Sequence, residues 1–179
     1  MTLPDLLRPG LDLVFIGINP SVYSVAQGHY FARKTNRFWP ALSRSTLSLS
    51  ARRALRVDRL EPFHDAMLLD HGIGFTDVVK RATARADELD PREFADAARE
   101  LAAKLATFQP RIACFQGMMG YRPFVRVQAP TLPKPVLGEQ PLHIGRTRLF
   151  VVPSPSPANA HASPALQTEW YDRLAAARD

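Results

Sequence analysis

Thiols are almost absent from this 179-residue chain, which contains one cysteine, Cys114. That count excludes an internal disulfide framework, an iron–sulfur cluster and a cysteine-rich zinc module. Long apolar runs are missing as well. None approaches the ~20 residues of a membrane span, and the opening MTLPDLLRPG lacks the apolar stretch of a signal peptide. The expectation is a soluble, cytoplasmic protein. No phosphate-cradling glycine loop or dinucleotide fingerprint occurs, and the five histidines (His29, His64, His71, His143, His161) show no zinc spacing. Chemistry without metal or cofactor is therefore expected. Lysine is scarce too: four, against nineteen arginines.

What is present suits a folded core. Hydrophobic residues make up 46% of the chain and the formal net charge is only +6, which argues against disorder. A chain of this length buries roughly 70% of its unfolded surface, so one domain spanning residues 1–179 is expected. Arginine forks suit phosphate, although genome composition alone can favour them. The charges are unevenly spread. Residues 111–148 carry six cations (Arg111, Arg122, Arg126, Lys134, Arg146, Arg148) against Glu139 alone, whereas residues 86–100 carry six acids against Arg92 and Arg99. A basic side and an acidic side fit a one-faced polyanion binder.

The apolar run Leu11–Ile18 reads as a strand buried on both faces, as in a parallel sheet. Residues 36–47 have helical character. The clearest helix runs from Pro91 to Phe108, with Asp90 as N-cap, Pro91 at the first helical position and Glu93 completing a capping box. Arg111–Gly117 and Leu149–Val152 follow as further buried strands, and Ala165–Ala176 closes as a helix. This alternation predicts an α/β layered sheet with functional groups beyond the strands' carboxyl ends.

Three loops then carry the candidate chemistry. Gly17-Ile18-Asn19-Pro20-Ser21 places an amide where proline restricts it to extended backbone, fit to orient a water or a substrate edge, or to close an Asx turn. Residues 72–77 form a second loop, whose Asp77 is either a catalytic carboxylate or the N-cap of a short helix through Arg81. Pro153-Ser154-Pro155-Ser156-Pro157-Ala158-Asn159-Ala160 reads as a stiff, extended finger, stiffer than a linker to the last helix needs to be. Between the first two, His29-Tyr30-Phe31 precedes a cation-rich stretch. Phe38 and Trp39 there read as core, leaving Tyr30 or Phe31 as a stacking platform.

In their order along the chain, Gly17-Ile18-Asn19-Pro20, Asn36-Arg37-Phe38-Trp39, Gly72-Ile73-Gly74-Phe75-Thr76, Phe108–Ala113 and Pro153–Asn159 resemble the mismatch-specific uracil/thymine-DNA glycosylases. This is a branch of the uracil-DNA glycosylase superfamily, and the resemblance runs from about Leu13 to Pro164. It implies a three-layer α/β/α sandwich around a central, mostly parallel sheet. It also implies a monomeric, monofunctional enzyme without cofactor that flips uracil mispaired with guanine out of duplex DNA and hydrolyses its N-glycosidic bond. Thymine and modified pyrimidines are further candidate bases. By the same resemblance, Asn19 positions the attacking water, backbone N–H groups around Ile18 and Phe31 receive the anionic base, and Phe31 stacks on it. Gly17, Ser21 and His29 complete the base pocket, and Ser156, Pro157, Ala158 and Asn159 enter the minor groove.

The chain departs from that pattern in three places. Ser21 replaces a usual glycine, Ala158 or Asn159 stands where a larger wedge is usual, and Asp77 occupies a position of Asn or Lys. As a carboxylate, Asp77 suits the developing sugar cation and the water's proton better than the anionic base. Two other classes remain open at this point: a non-catalytic damage-recognition module, and a hydrolase of free nucleosides.

Overall fold

The computed structural model describes residues 1–179. Its centre is a five-stranded sheet in the order β2-β1-β3-β5-β4. The strands are β1 (Leu13–Gly17), β2 (Ile73–Asp77), β3 (Ile112–Gln116), β4 (Gly138–Ile144) and β5 (Thr147–Val152). β1 pairs in parallel with both β2 and β3, β3 pairs in parallel with β5, and only the edge strand β4 runs antiparallel. All five residues of β1, β2 and β3 are buried, which explains why each opens on apolar residues, while Thr76, Asp77 and Gln116 are polar groups buried at the carboxyl ends.

The six helices are α1 (Val22–Gln27), α2 (Phe38–Arg44), α3 (Leu49–Leu55), α4 (Pro91–Phe108), α5 (Met118–Gln128) and α6 (Pro164–Arg178). Alternate strand residues feed two separate cores. Leu13, Phe15, Ile73, Phe75 and Cys114 face α2, α3 and α6, while Val14, Ile16, Ala113, Phe115 and Val151 face α4 and α5. The result is the three-layer α/β/α sandwich. Phe38 sits at the heart of the first core, edge-on to Phe15 with ring centroids 4.9 Å apart.

Helix α4 starts as the sequence predicts: Arg92 N–H donates to the Asp90 carboxylate (2.7 Å) and Asp90 N–H to Glu93 (2.8 Å). Several expectations need correction. The first strand is shorter than Leu11–Ile18, and residues 46–48 form a 3-10 turn after α2. Residues 72–77 are not a loop but strand β2 after Gly72. Gly74 misleads because it serves close approach rather than a turn: a Cβ there would overlap the Leu6 carbonyl. Leu6 and Phe75 exchange backbone hydrogen bonds at 2.9 and 3.0 Å, capping that sheet edge. Helix α5 was hidden by Pro123 inside it, and β4 by its mixed, half-exposed pattern.

Candidate active site

The carboxyl ends of the parallel strands open into one cavity of about 580 Å³. Gly17 and Asn19 follow from β1, Asp77 from β2, Gln116 from β3 and Ser154 from β5, and all five line it. The strand order reverses around β1, so the cavity lies where an open α/β sheet leaves a crevice.

Asn19 is held by its amide hydrogens. Its Nδ2 donates to the Arg81 carbonyl (2.9 Å) and to Thr83 Oγ1 (2.7 Å), leaving Oδ1 with no protein donor. The acceptors are themselves braced. Thr83 donates to the Arg85 carbonyl (2.7 Å), and the Arg81 guanidinium forks onto Glu93 in the first turn of α4 (2.6 and 2.8 Å). That fork holds the Glu93 carboxyl down at about 2. An amide fixed in this way offers its oxygen as an acceptor in a set direction.

Asp77 ends β2, with 3% of its side chain exposed. No helix follows it, so the N-cap alternative is removed. Its Oδ2 has no hydrogen-bond partner, and the nearest cation, Lys80 Nζ, stands 3.9 Å away. Burial pushes the carboxyl up to about 7; Lys80 opposes the rise, Asp5 adds to it and Lys104 opposes it. Lys80 is drawn aside by Asp5 (2.7 Å), which also binds Lys104 (2.7 Å) and accepts from Thr76 Oγ1 (2.7 Å). A buried carboxylate without a protein hydrogen-bond donor is costly to the fold and typical of working sites.

Phe31 forms the aromatic wall. Its backbone is left-handed (φ 52°), an uncommon conformation for an aromatic residue, and its ring stacks on Phe38 with centroids 4.3 Å apart. Asp65 enforces this turn by accepting from the Tyr30 N–H at 3.0 Å, while Ser24 Oγ accepts from the Ala32 N–H at 3.2 Å. Neither the Ile18 nor the Phe31 N–H donates to a protein acceptor. His29 does not line the cavity: its Nδ1 lies 3.1 Å from Asp65, so its place is in bracing the turn. Ser21 does line it, but its hydroxyl caps α1 by accepting from the Ser24 N–H (3.0 Å).

Residues 153–162 bend into a turn at Pro157–Ala158 rather than projecting as an extended finger. Arg37 pins the turn by donating to the Ser156 (3.2 Å) and Asn159 (2.9 Å) carbonyls. Asn159 folds its amide back onto the Ser154 carbonyl (3.0 Å). Pro157 and Ala158 are left as the exposed tip, and Ser156 to Asn159 all border the cavity. The sequence reading missed Thr83 and its neighbours up to Asp87, which form a further wall. No local motif marks them, because their role arises from contact with a residue 64 positions away. No group of three metal-ligating side chains occurs, and no helix is long and apolar enough to cross a membrane.

Residues 4–175 match the profile of the Uracil DNA glycosylase superfamily. Among solved structures, the chain is similar to a solution NMR structure from Methanosarcina acetivorans whose protein is provisionally named a uracil DNA glycosylase. The two share 20% identity with a TM-score of 0.57, and 97% of each chain is covered.

Proposed function

The chain belongs to the uracil DNA glycosylase superfamily, and on that premise we propose that it is a monomeric, monofunctional DNA repair glycosylase. It extrudes uracil mispaired with guanine from duplex DNA and hydrolyses the N-glycosidic bond, leaving an abasic site. Thymine and modified pyrimidines opposite guanine are further candidate bases. The observation that carries this reading is the convergence of Asn19, Asp77 and Phe31 on one cavity at the strand ends.

The chemistry follows from those groups. Extrusion costs a few kcal/mol and costs least for a mismatched base, so a G:U pair is partly selected by its own weakness. The flipped base stacks on Phe31, and the tip at Pro157–Ala158 occupies the vacated stack. As the C1′–N1 bond breaks, its electron pair passes to the pyrimidine, whose anion is received by the Ile18 and Phe31 N–H groups. Asn19 Oδ1 holds the water that bonds to C1′. Asp77, ionised above about pH 7, lies on the side of the developing sugar cation and takes the water's proton.

Single-turnover cleavage of a G:U duplex tests the assignment. The native protein produces abasic sites, and Asn19→Ala and Asp77→Ala each slow the reaction about 10²–10⁴-fold, the scale of losing a water-positioning group or a general base. A near-native rate for Asp77→Ala removes it from the mechanism. Binding without base release identifies a damage-recognition module instead, and release from free deoxyuridine alone identifies a nucleoside hydrolase.

A further inference from the structure

A second concavity, of about 310 Å³, lies beside α5 and the loop that follows it, and Arg122, Arg126 and Lys134 line it. All three are exposed, and none is paired with a carboxylate, whereas Arg81, Arg85, Arg99 and Arg148 each hold one. No Asp or Glu occurs between Glu100 and Glu139. Three like charges around one hollow repel each other and give the fold nothing. A helix-dipole role suits Arg126 in the last turn of α5, but not Arg122 in its middle or Lys134 beyond it. Pro130, Pro133 and Pro135 stiffen the opposite wall, so little ordering is lost when an anion settles there.

The hollow is connected to the active site through α5 itself. Met119, in the first turn, lines the main cavity. Arg122 and Arg126 follow at i+3 and i+7 on the same helical stripe, about 4.5 and 10.5 Å farther along the axis. The rise of about 6 Å between them spans roughly two phosphates of one DNA strand.

We propose that Arg122, Arg126 and Lys134 form a phosphate track that grips the duplex arm leading away from the flipped base. This rests on the reading of duplex DNA as substrate. The track supplies grip without sequence preference and keeps the protein on the helix while the base is extruded.

The test is the salt dependence of binding to an undamaged duplex of several helical turns, read by fluorescence anisotropy. Replacing all three by Gln lowers the slope of log K against log salt by up to about 2.7, near 0.9 per phosphate contact. Between 50 and 200 mM salt, the native protein then loses about 40-fold more affinity than the variant. Arg122→Lys with Arg126→Lys restores the slope, and excision at saturating G:U duplex is unchanged in every variant. A slope equal to the native one overturns the track, and competition by polyglutamate without a slope change reassigns the hollow to an acidic protein. The two readings fail separately. A changed slope in a protein that releases no base keeps the track and sinks the glycosylase, and base release with an unchanged slope does the reverse.

Discussion

Gly17 and Asp77 face each other Cα to Cα in adjacent parallel strands, and a methyl group on Gly17 would overlap the Asp77 carboxylate. It would also stand 3.5 Å from the Phe31 ring. The missing side chain of one residue is the space occupied by the other. Gly17→Ala is therefore expected to cost about 1–3 kcal/mol of stability through overpacking. It should slow base excision by more than the tenfold that equals about 1.4 kcal/mol, because it displaces the carboxylate itself. Thermal unfolding and single-turnover kinetics on the same preparation separate the two effects.

Asp77 sets a pH dependence in two observables. Its carboxyl titrates near 7 in the folded protein, against the ordinary carboxylate range when unfolded. In its proposed role of proton acceptor it is active when ionised, so excision should rise through pH 7 on an acid limb that Asp77→Asn abolishes. Stability should run the other way. The protonated, folded form is favoured at acidic pH, and that contribution is lost as pH rises from about 4 through 7. Asp77→Asn should then melt above the native protein at pH 8 and close to it at pH 4, as differential scanning calorimetry would register.

Thr83 fixes the Asn19 amide, which the proposed function makes the water-holding group. Thr83→Val keeps the shape but removes the acceptor for Asn19 Nδ2 and the donor to the Arg85 carbonyl. About 1–3 kcal/mol of stability is expected to be lost with the buried hydrogen bonds. A kcat lowered about tenfold with KM little changed is the outcome that distinguishes aiming from packing, and Thr83→Ser should restore it.

In the proposed function Phe31 is the platform for the flipped base. Base–aromatic stacking is worth about 1–3 kcal/mol per base, so Phe31→Leu should weaken the complex with a G:U duplex by about 5- to 150-fold. Binding to undamaged duplex, which presents no flipped base, should hold. Titrations with the two duplexes measure this directly.

The parts of the fold that could be read in advance were those whose signal is local. The capping box Asp90–Glu93, the buried run of β1, and Phe38 and Trp39 as core all follow from neighbouring residues, and each appears where expected. Strand β2 was obscured because Gly72 and Gly74 look like turn residues. Gly74 is in fact the place where the N-terminal segment crosses the sheet edge backbone to backbone. His29 lay close in sequence to Phe31, yet a buried carboxylate from residue 65 turned it away from the cavity.

The sequence by itself determined the layered α/β class, the exclusion of thiol-based sites and the order of the motifs, because period, capping and composition are properties of short stretches. Only the tertiary structure decided the surroundings of Asp77. Its burial at the end of β2, the pull of Asp5 on Lys80 and the gap left by Gly17 join residues up to 75 positions apart, the separation of Asp5 and Lys80. The same holds for Asn19, whose oxygen is free because residues 81 and 83 hold its nitrogen. Desolvation and hydrogen-bond direction depend on what surrounds a group in space, and chain order alone does not carry that information.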